Sequence, residues 1–233
     1  MLGRYLDRMR SKIRDVVFGI QDGLISTVGA LTGIALGTQS PSVVVIAGCV
    51  IVSVESLSMA AGSYLSSKSH REYLERLLKE EERSITTNPE GERRELLEMY
   101  RERGFTEEEI QIISRRLFAN KRWLLEDMAH KELGICPAQW EEPLSNATVM
   151  GISYLIGGVV PVLPYLFLPL PTAVLTSLAG TFIALFAFGG MKGKLVRKPW
   201  WKSGLEMLLV AGIACLMGLA VGFLTRRFTS LSP

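Results

Sequence analysis

The sequence predicts an all-α integral membrane protein: five transmembrane helices, with a cytosolic helical insertion between the second and the third. Three observations carry that expectation. Of 233 residues, 48% are hydrophobic and yet 21% are charged. The two kinds are segregated along the chain. Five apolar runs, about Val16–Gly37, Val43–Ser63, Ala147–Leu168, Thr172–Met191 and Leu205–Leu224, approach the roughly 20 residues that cross a ~30 Å hydrocarbon core. Between the second and third runs, Ser66 to Pro143 holds 18 of the 23 acidic residues. The organisation is therefore 1–65 for the N-terminal segment and the first two spans, 66–143 for the insertion, and 144–233 for the last three spans.

The chain opens on M-L-G-R-Y-L-D-R-M-R-S-K-I-R, basic and amphipathic. The apolar run after it is too long for a signal h-region, so no cleavable signal is expected. Lys and Arg set the orientation. Arg4, Arg8, Arg10, Lys12 and Arg14 place the N-terminus in the cytosol. The uncharged link T-Q-S-P faces away, and the insertion returns to the cytosol. F-L-P-L-P-T faces away again, and K-G-K-L-V-R-K-P-W-W-K, with five positive charges, is cytosolic. Arg226 and Arg227 in the tail are the one exception to the rule.

Within the insertion, S-S-K-S-H-R-E-Y-L-E-R-L-L-K-E-E-E-R keeps a helical rhythm, so the second span is expected to continue to about Arg83. Asn88 and Pro89 mark the start of a new helix, which Gly104 ends. Thr106 and Glu109 form a capping box for the next helix. K-R-W-L-L-E-D-M-A-H-K-E-L makes the last, ended by Gly134 before Pro137. The insertion reads as a small helical bundle.

Several function classes drop out. The basic residues of the insertion are interleaved with more numerous acids, which argues against nucleic acid as a partner. Cys49, Cys136 and Cys215 have no C-x-x-C spacing, so neither a disulfide framework nor a zinc site is expected. There is no nucleophile–base pair, phosphate loop or histidine metal motif, and the chain is not expected to be an enzyme or to carry a prosthetic group.

The residues that invite a function lie where they are costly. Asp22 sits several residues inside the first span, where a carboxylate costs ~2.5–3.5 kcal/mol and needs water, a partner or a ligand. The alternative is that it snorkels to the cytosolic interface. Gly19 and Gly23, and Gly29, Gly33 and Gly37, give that helix small faces on which backbones can touch. In the second span Glu55, Met59 and Ser63 follow one another at i, i+4 and share a face. Carboxylate oxygen suits hard divalent ions and thioether sulfur adds affinity for softer transition metals, so this stripe would line a cation route. For Met59 alone core packing is the alternative, and for Glu55 a proton site without metal. In the insertion, Glu92 and Glu95 stand at i, i+3 on one helix, and Met128 and Glu132 at i, i+4 on another. Glu81 ends the extension of the second span. If these helices pack together, oxygen ligands from three of them converge on one place with a sulfur nearby. Simple solvation of acidic helices is the alternative.

D-G-L-I-S-T in the first span, S-M-A-A-G-S-Y-L-S in the second, and E-R-R-E-L-L-E-M-Y-R-E-R-G-F, M-A-H-K-E-L-G-I and G-G-V-V-P-V-L-P-Y further on resemble the vacuolar iron transporter family. The resemblance runs from about Arg14 to Leu224. It implies a five-span fold that forms a homodimer in the lipid bilayer, with the metal path between the two copies of the first and second spans. It also implies Fe²⁺, and often Mn²⁺, as bound and transported ions, moved out of the cytosol against protons. By motif, the family's aspartate falls on Asp22 and its pathway methionine on Met59. The ligands of its cytosolic domain fall on Glu81, Glu92, Glu95, Met128 and Glu132. Two positions depart from the pattern. Ser63 replaces the glutamate of the usual G-E-Y, and Glu55, two turns away on the same face, is the candidate to supply that charge. Ser84 stands where a second glutamate would follow Glu81, which leaves Glu80 or Glu82 as substitutes. The expected membrane is the cell membrane of a prokaryote or the vacuolar membrane of a eukaryote. Two other readings compete: a membrane-anchored metal-binding or metal-sensing protein without flux, and a transporter of another solute.

Overall fold

The computed structural model describes residues 2–132, 134 and 142–229, and among these the side chains from residue 12 to residue 228. Cys136 and Pro137, and the side chains of Arg4, Arg8 and Arg10, lie outside the described residues. Among the described residues every element is an α-helix: α1 Leu2–Thr38, α2 Pro41–Thr87, α3 Pro89–Glu102, α4 Glu107–Phe118, α5 Lys121–Lys131, α6 Pro143–Phe167, α7 Leu170–Leu195 and α8 Trp200–Thr229. Five of these (α1, α2, α6, α7 and α8) are long and apolar enough to cross a membrane. Two compact units result, one of Met9–Tyr64 with Pro143–Pro233, the other of Met1–Arg8 with Leu65–Glu142.

Helix boundaries follow local chemistry. The basic N-terminal segment is not a separate element but the first turns of α1. Gln39, at φ 51°, turns the chain out of α1 into the short link before α2. α2 runs on without a break to Thr87, a turn beyond the expected end near Arg83. The Asn88 side chain then accepts from the Gly91 amide, with Pro89 in the first turn of α3. Gly104 takes φ 84° just past the end of α3. The Thr106–Glu109 capping box opens α4. The cap of α5 is Asn120, which accepts from the amides of Arg122 and Trp123 and was not anticipated from the sequence.

The insertion unit packs Ile85, Leu96, Tyr100, Ile110, Leu124 and Met128 into one apolar core. Lys131 locks this core from the side. Its ammonium lies 2.5 Å from Asp127 and 3.4 Å from the centre of the Tyr100 ring.

The membrane unit has one core around Leu31, Val44, Val162 and Tyr165 and another around Leu24, Leu185 and Met207. It wears its remaining apolar side chains outward, among them Ile46, Val54 and Leu57 on α2 and Leu209, Ile213 and Leu216 on α8. That is the arrangement of a chain whose solvent is hydrocarbon. The small faces of α1 are used as the sequence suggested, and on two sides. A Cβ on Gly157 of α6 would come within 2.4 Å of the Ile20 carbonyl oxygen, and one on Gly218 of α8 within 2.0 Å of the Gly29 carbonyl oxygen. Both approaches are possible only without a side chain. Gly157→Ala must push α6 off α1. It is expected to cost about 1–3 kcal/mol by overpacking, seen as a fall of several degrees in the thermal midpoint of the purified protein. An unchanged midpoint would show that the two backbones are not in contact.

Candidate functional site

Glu55 projects from mid-span on α2. Its Oε2 accepts a hydrogen bond from the phenol of Tyr154 on α6 and lies 3.3 Å from Ser26 Oγ on α1. Ser26 Oγ is in turn 2.6 Å from the Tyr154 hydroxyl. Three helices thus meet at one carboxylate. The Tyr154 side chain is fully buried, and it reaches its place because Gly157, one turn further on, lets α6 approach α1. Asp22 sits one turn before Ser26 on α1, near enough to Glu55 for the two charges to interact.

Asp22, Glu55, Met59 and Ser63 are each half-buried. Glu55 and Asp22 are brought together. Met59 and Ser63 continue the α2 face one and two turns on, outside this hydrogen-bonded group. Among the described side chains, α1 carries a further carboxylate that sequence reasoning passed over. Asp15 is 1% exposed, with the Arg14 guanidinium 3.5 Å away. It lies seven residues before Asp22 and hence on the same helical stripe.

The second group lies in the insertion unit. Glu81 of α2, Glu92 of α3 and Glu132 just past α5 each offer a carboxylate oxygen, all within 4.8 Å of one another. Glu81 and Glu92 are buried, at 7% and 5% exposure. The Ser84 hydroxyl donates to Glu92 Oε1, so Ser84 holds one of these carboxylates in place. Glu81 Oε1 and Glu92 Oε2 are buried without any hydrogen-bond partner. Burial pushes the Glu81 carboxyl from 4.5 up to about 7, helped by the charges of Glu132 and Glu92, a hydrogen bond with Glu132, and the charge of Glu95. Burial, then Glu95 and Glu92, also raise Glu132. Exposed Glu95 therefore adds field to the cluster from one turn beyond Glu92. Met128 is completely buried in the apolar core, one turn before Glu132. Glu80 is held by Arg76 at 2.8 Å, and Glu82 lies 3.4 Å from Lys121, so both are engaged elsewhere. Crowded carboxylates with bare buried oxygens and a raised proton affinity fit a divalent cation, which would neutralise them and fill the missing bonds.

The sequence model of the VIT family matches residues 13–223, a stretch that takes in both groups of carboxylates. The chain belongs to the VIT family. Over 214 residues it is 33% identical to a vacuolar iron transporter of Centaurea cyanus, a match covering 90% of this chain and 87% of that protein. It is 32% identical over 203 residues to vacuolar iron transporter 1 of Arabidopsis thaliana, covering 87% and 81%. The vacuolar iron transporter of Plasmodium falciparum is more distant, at 24% identity over 228 residues.

In this member of the VIT family the residues that sequence reasoning missed are Tyr154, Ser26 and Asp15. Ser26 lies within the D-G-L-I-S-T motif and was visible as text. Nothing local to Tyr154 marks it as the partner of a glutamate 99 positions earlier. Asp15 could have been found from its seven-residue spacing to Asp22.

Proposed function

We propose that this chain is a carrier, not an enzyme, and moves Fe²⁺, and with it Mn²⁺, out of the cytosol in exchange for protons. The observation that carries this reading is the carboxylate of Glu55, anchored by Tyr154 and Ser26 inside the membrane unit with Asp22 beside it. Two carboxylates at such depth cost several kcal/mol unless a cation or protons neutralise them. Competition of H⁺ and M²⁺ for one set of oxygens is sufficient chemistry for exchange. Met59, on the same face of α2, supplies a soft ligand that favours a transition metal over Mg²⁺ or Ca²⁺. The names of the relatives, vacuolar iron transporters over most of the chain, support iron as the metal.

A second copy completes the proposal. Asp22, Glu55, Met59 and Ser63 are half-exposed in the single chain, and polar groups of a span face a partner or a water path, not lipid. In a homodimer, α1 and α2 of both copies would double the ligand set around one axis. The cluster of Glu81, Glu92 and Glu132, with Glu95 beside it and Met128 one turn away, is the collecting site on the cytosolic side. The same cluster is also what a metal-binding or metal-sensing protein without flux would need, and it lies wholly in the insertion unit. The membrane would be the vacuolar one in a eukaryote and the cell membrane in a prokaryote.

The deciding measurement is uptake of Fe²⁺, Mn²⁺, Co²⁺ and Zn²⁺ into proteoliposomes, with and without an acid interior. Uptake driven by the pH gradient and lost in Asp22→Ala is expected. Ion binding with no flux at all would select the sensor, and flux in Asp22→Ala equal to wild type would remove the proposed route.

A further inference from the structure

We propose that the groove between the start of α1 and the end of α7 is a binding site for an anionic glycerophospholipid. Val16 of α1 faces Phe188, Met191 and Leu195 of α7 across an apolar cleft of about 510 Å³, and Lys12 and Lys192 join the same lining. Both lysines are half-buried along their stems, and neither makes an ion pair or hydrogen bond among the described residues. Two ammonium groups without a carboxylate partner among the described residues, at the head of a greasy slot, complement an amphiphile with acyl chains and a phosphate. A purely apolar helix face would leave both of them unmet.

The depth agrees. Lys12 stands one turn before Val16, where the first apolar run starts, and Lys192 lies in the last turn of α7. Trp200 starts α8 beside them: a Cβ on Gly193 would lie 3.1 Å from its Cα. Its ring meets Phe186 edge-on at 5.8 Å. Trp200 and Trp201 are both half-exposed, and indoles in that state sit at the headgroup level. The lysines are therefore at the height of lipid phosphates, with Val16 and Phe188 about one turn deeper. Basic pockets between membrane helices on this side of a bilayer are suited to such headgroups.

The test uses the full-length protein and native mass spectrometry, titrated with phosphatidylglycerol, with phosphatidylcholine of the same acyl chains, and with inorganic phosphate alone. Two lysines near the phosphate should favour phosphatidylglycerol by roughly 30-fold over phosphatidylcholine. Lys12→Gln with Lys192→Gln should abolish that preference. Lys194→Gln with Lys198→Gln, which removes the same charge from the neighbouring turn, should leave it intact. Met191→Trp, which fills the apolar half, should lower lipid occupancy without touching a charge. Equal loss in both lysine pairs would mean diffuse attraction and would overturn the site. So would equal binding of the two lipids, or phosphate alone binding as tightly as phosphatidylglycerol. Disulfide crosslinking of Met191→Cys between two copies in the membrane would assign the groove to a dimer contact and overturn it as well.

Discussion

Glu55→Gln is expected to reduce metal uptake by at least about a hundredfold while leaving the protein folded. The amide keeps the size of the side chain and an oxygen for Tyr154 to donate to, so packing is preserved. What it loses is a full negative charge. At an effective dielectric constant of about 20 and about 4 Å, each unit of cation charge is worth roughly 4 kcal/mol, and a doubly charged ion feels that loss twice. Tyr154→Phe separates position from charge. It leaves the carboxylate but removes its buried donor, and a hydrogen bond to a charged group contributes about 1.5–3 kcal/mol. An intermediate loss of about tenfold or more should follow. Wild-type rates in Glu55→Gln would show that the ion does not pass this carboxylate, whatever the family pattern implies for Met59.

Glu81→Gln should act on the insertion in two opposite ways. Without metal it stabilises. The Glu81 carboxyl is held near 7 instead of 4.5, so the folded state takes up a proton that the unfolded chain releases. That contribution is fully present below about 4.5. It is lost as pH rises to about 7, at a cost of about 3 kcal/mol from the shift between those two values. Glutamine has no charge to bury, so the variant should unfold at a higher temperature than wild type at pH 8 and at a similar one at pH 5. With metal the variant is weaker. A cation must displace the Glu81 proton, so wild-type affinity for Mn²⁺ should rise by about tenfold per pH unit below 7 and level off above it. The variant should bind at least about tenfold less tightly at pH 7.5 and show a shallower slope. Titration calorimetry of the full-length protein between pH 5.5 and 8 measures both, and a flat wild-type profile would dismiss the cluster as a proton-competed metal site.

Much of the fold was legible because its causes are local. Five apolar runs of membrane-spanning length become five long helices, and Asn88, Pro89, Thr106 and Glu109 act within a few residues of themselves. The glycine spacing of α1 was equally readable, since a face without side chains has few uses other than close approach. The site was legible only in part. Asp22 and Glu55 stand out because a carboxylate in an apolar run is costly wherever it falls, whereas Glu81 and Glu92 sit in acidic helices, marked by spacing and resemblance, and their burial shows only in the fold. Tyr154 does not, for a tyrosine in a membrane helix is ordinary until its hydroxyl is seen against Glu55. Met128 shows the converse. Its spacing to Glu132 is the same whether it ligates or packs, and only the surrounding Ile85, Leu96 and Leu124 show how deep in the core it sits. Ser84 was read as a missing ligand, whereas its hydroxyl steadies Glu92.

The glycine seams of α1 also decide which parts of the carrier can move. Where Gly29 and Gly33 mesh with Gly218 and Gly222, and Ile20 with Gly157, carbonyls interlock like teeth. Neither rolling nor slipping is possible without first prising the rods apart. α1, α6 and α8 must therefore swing together as a single frame. α2 meets that frame through the methyl groups of Val52 and Ala60 against Gly158 and Gly151, and through the Ser56 carbonyl against Gly151. The hydrogen bonds from Tyr154 and Ser26 fasten it there at Glu55, so a shift of α2 must first loosen the grip on that carboxylate.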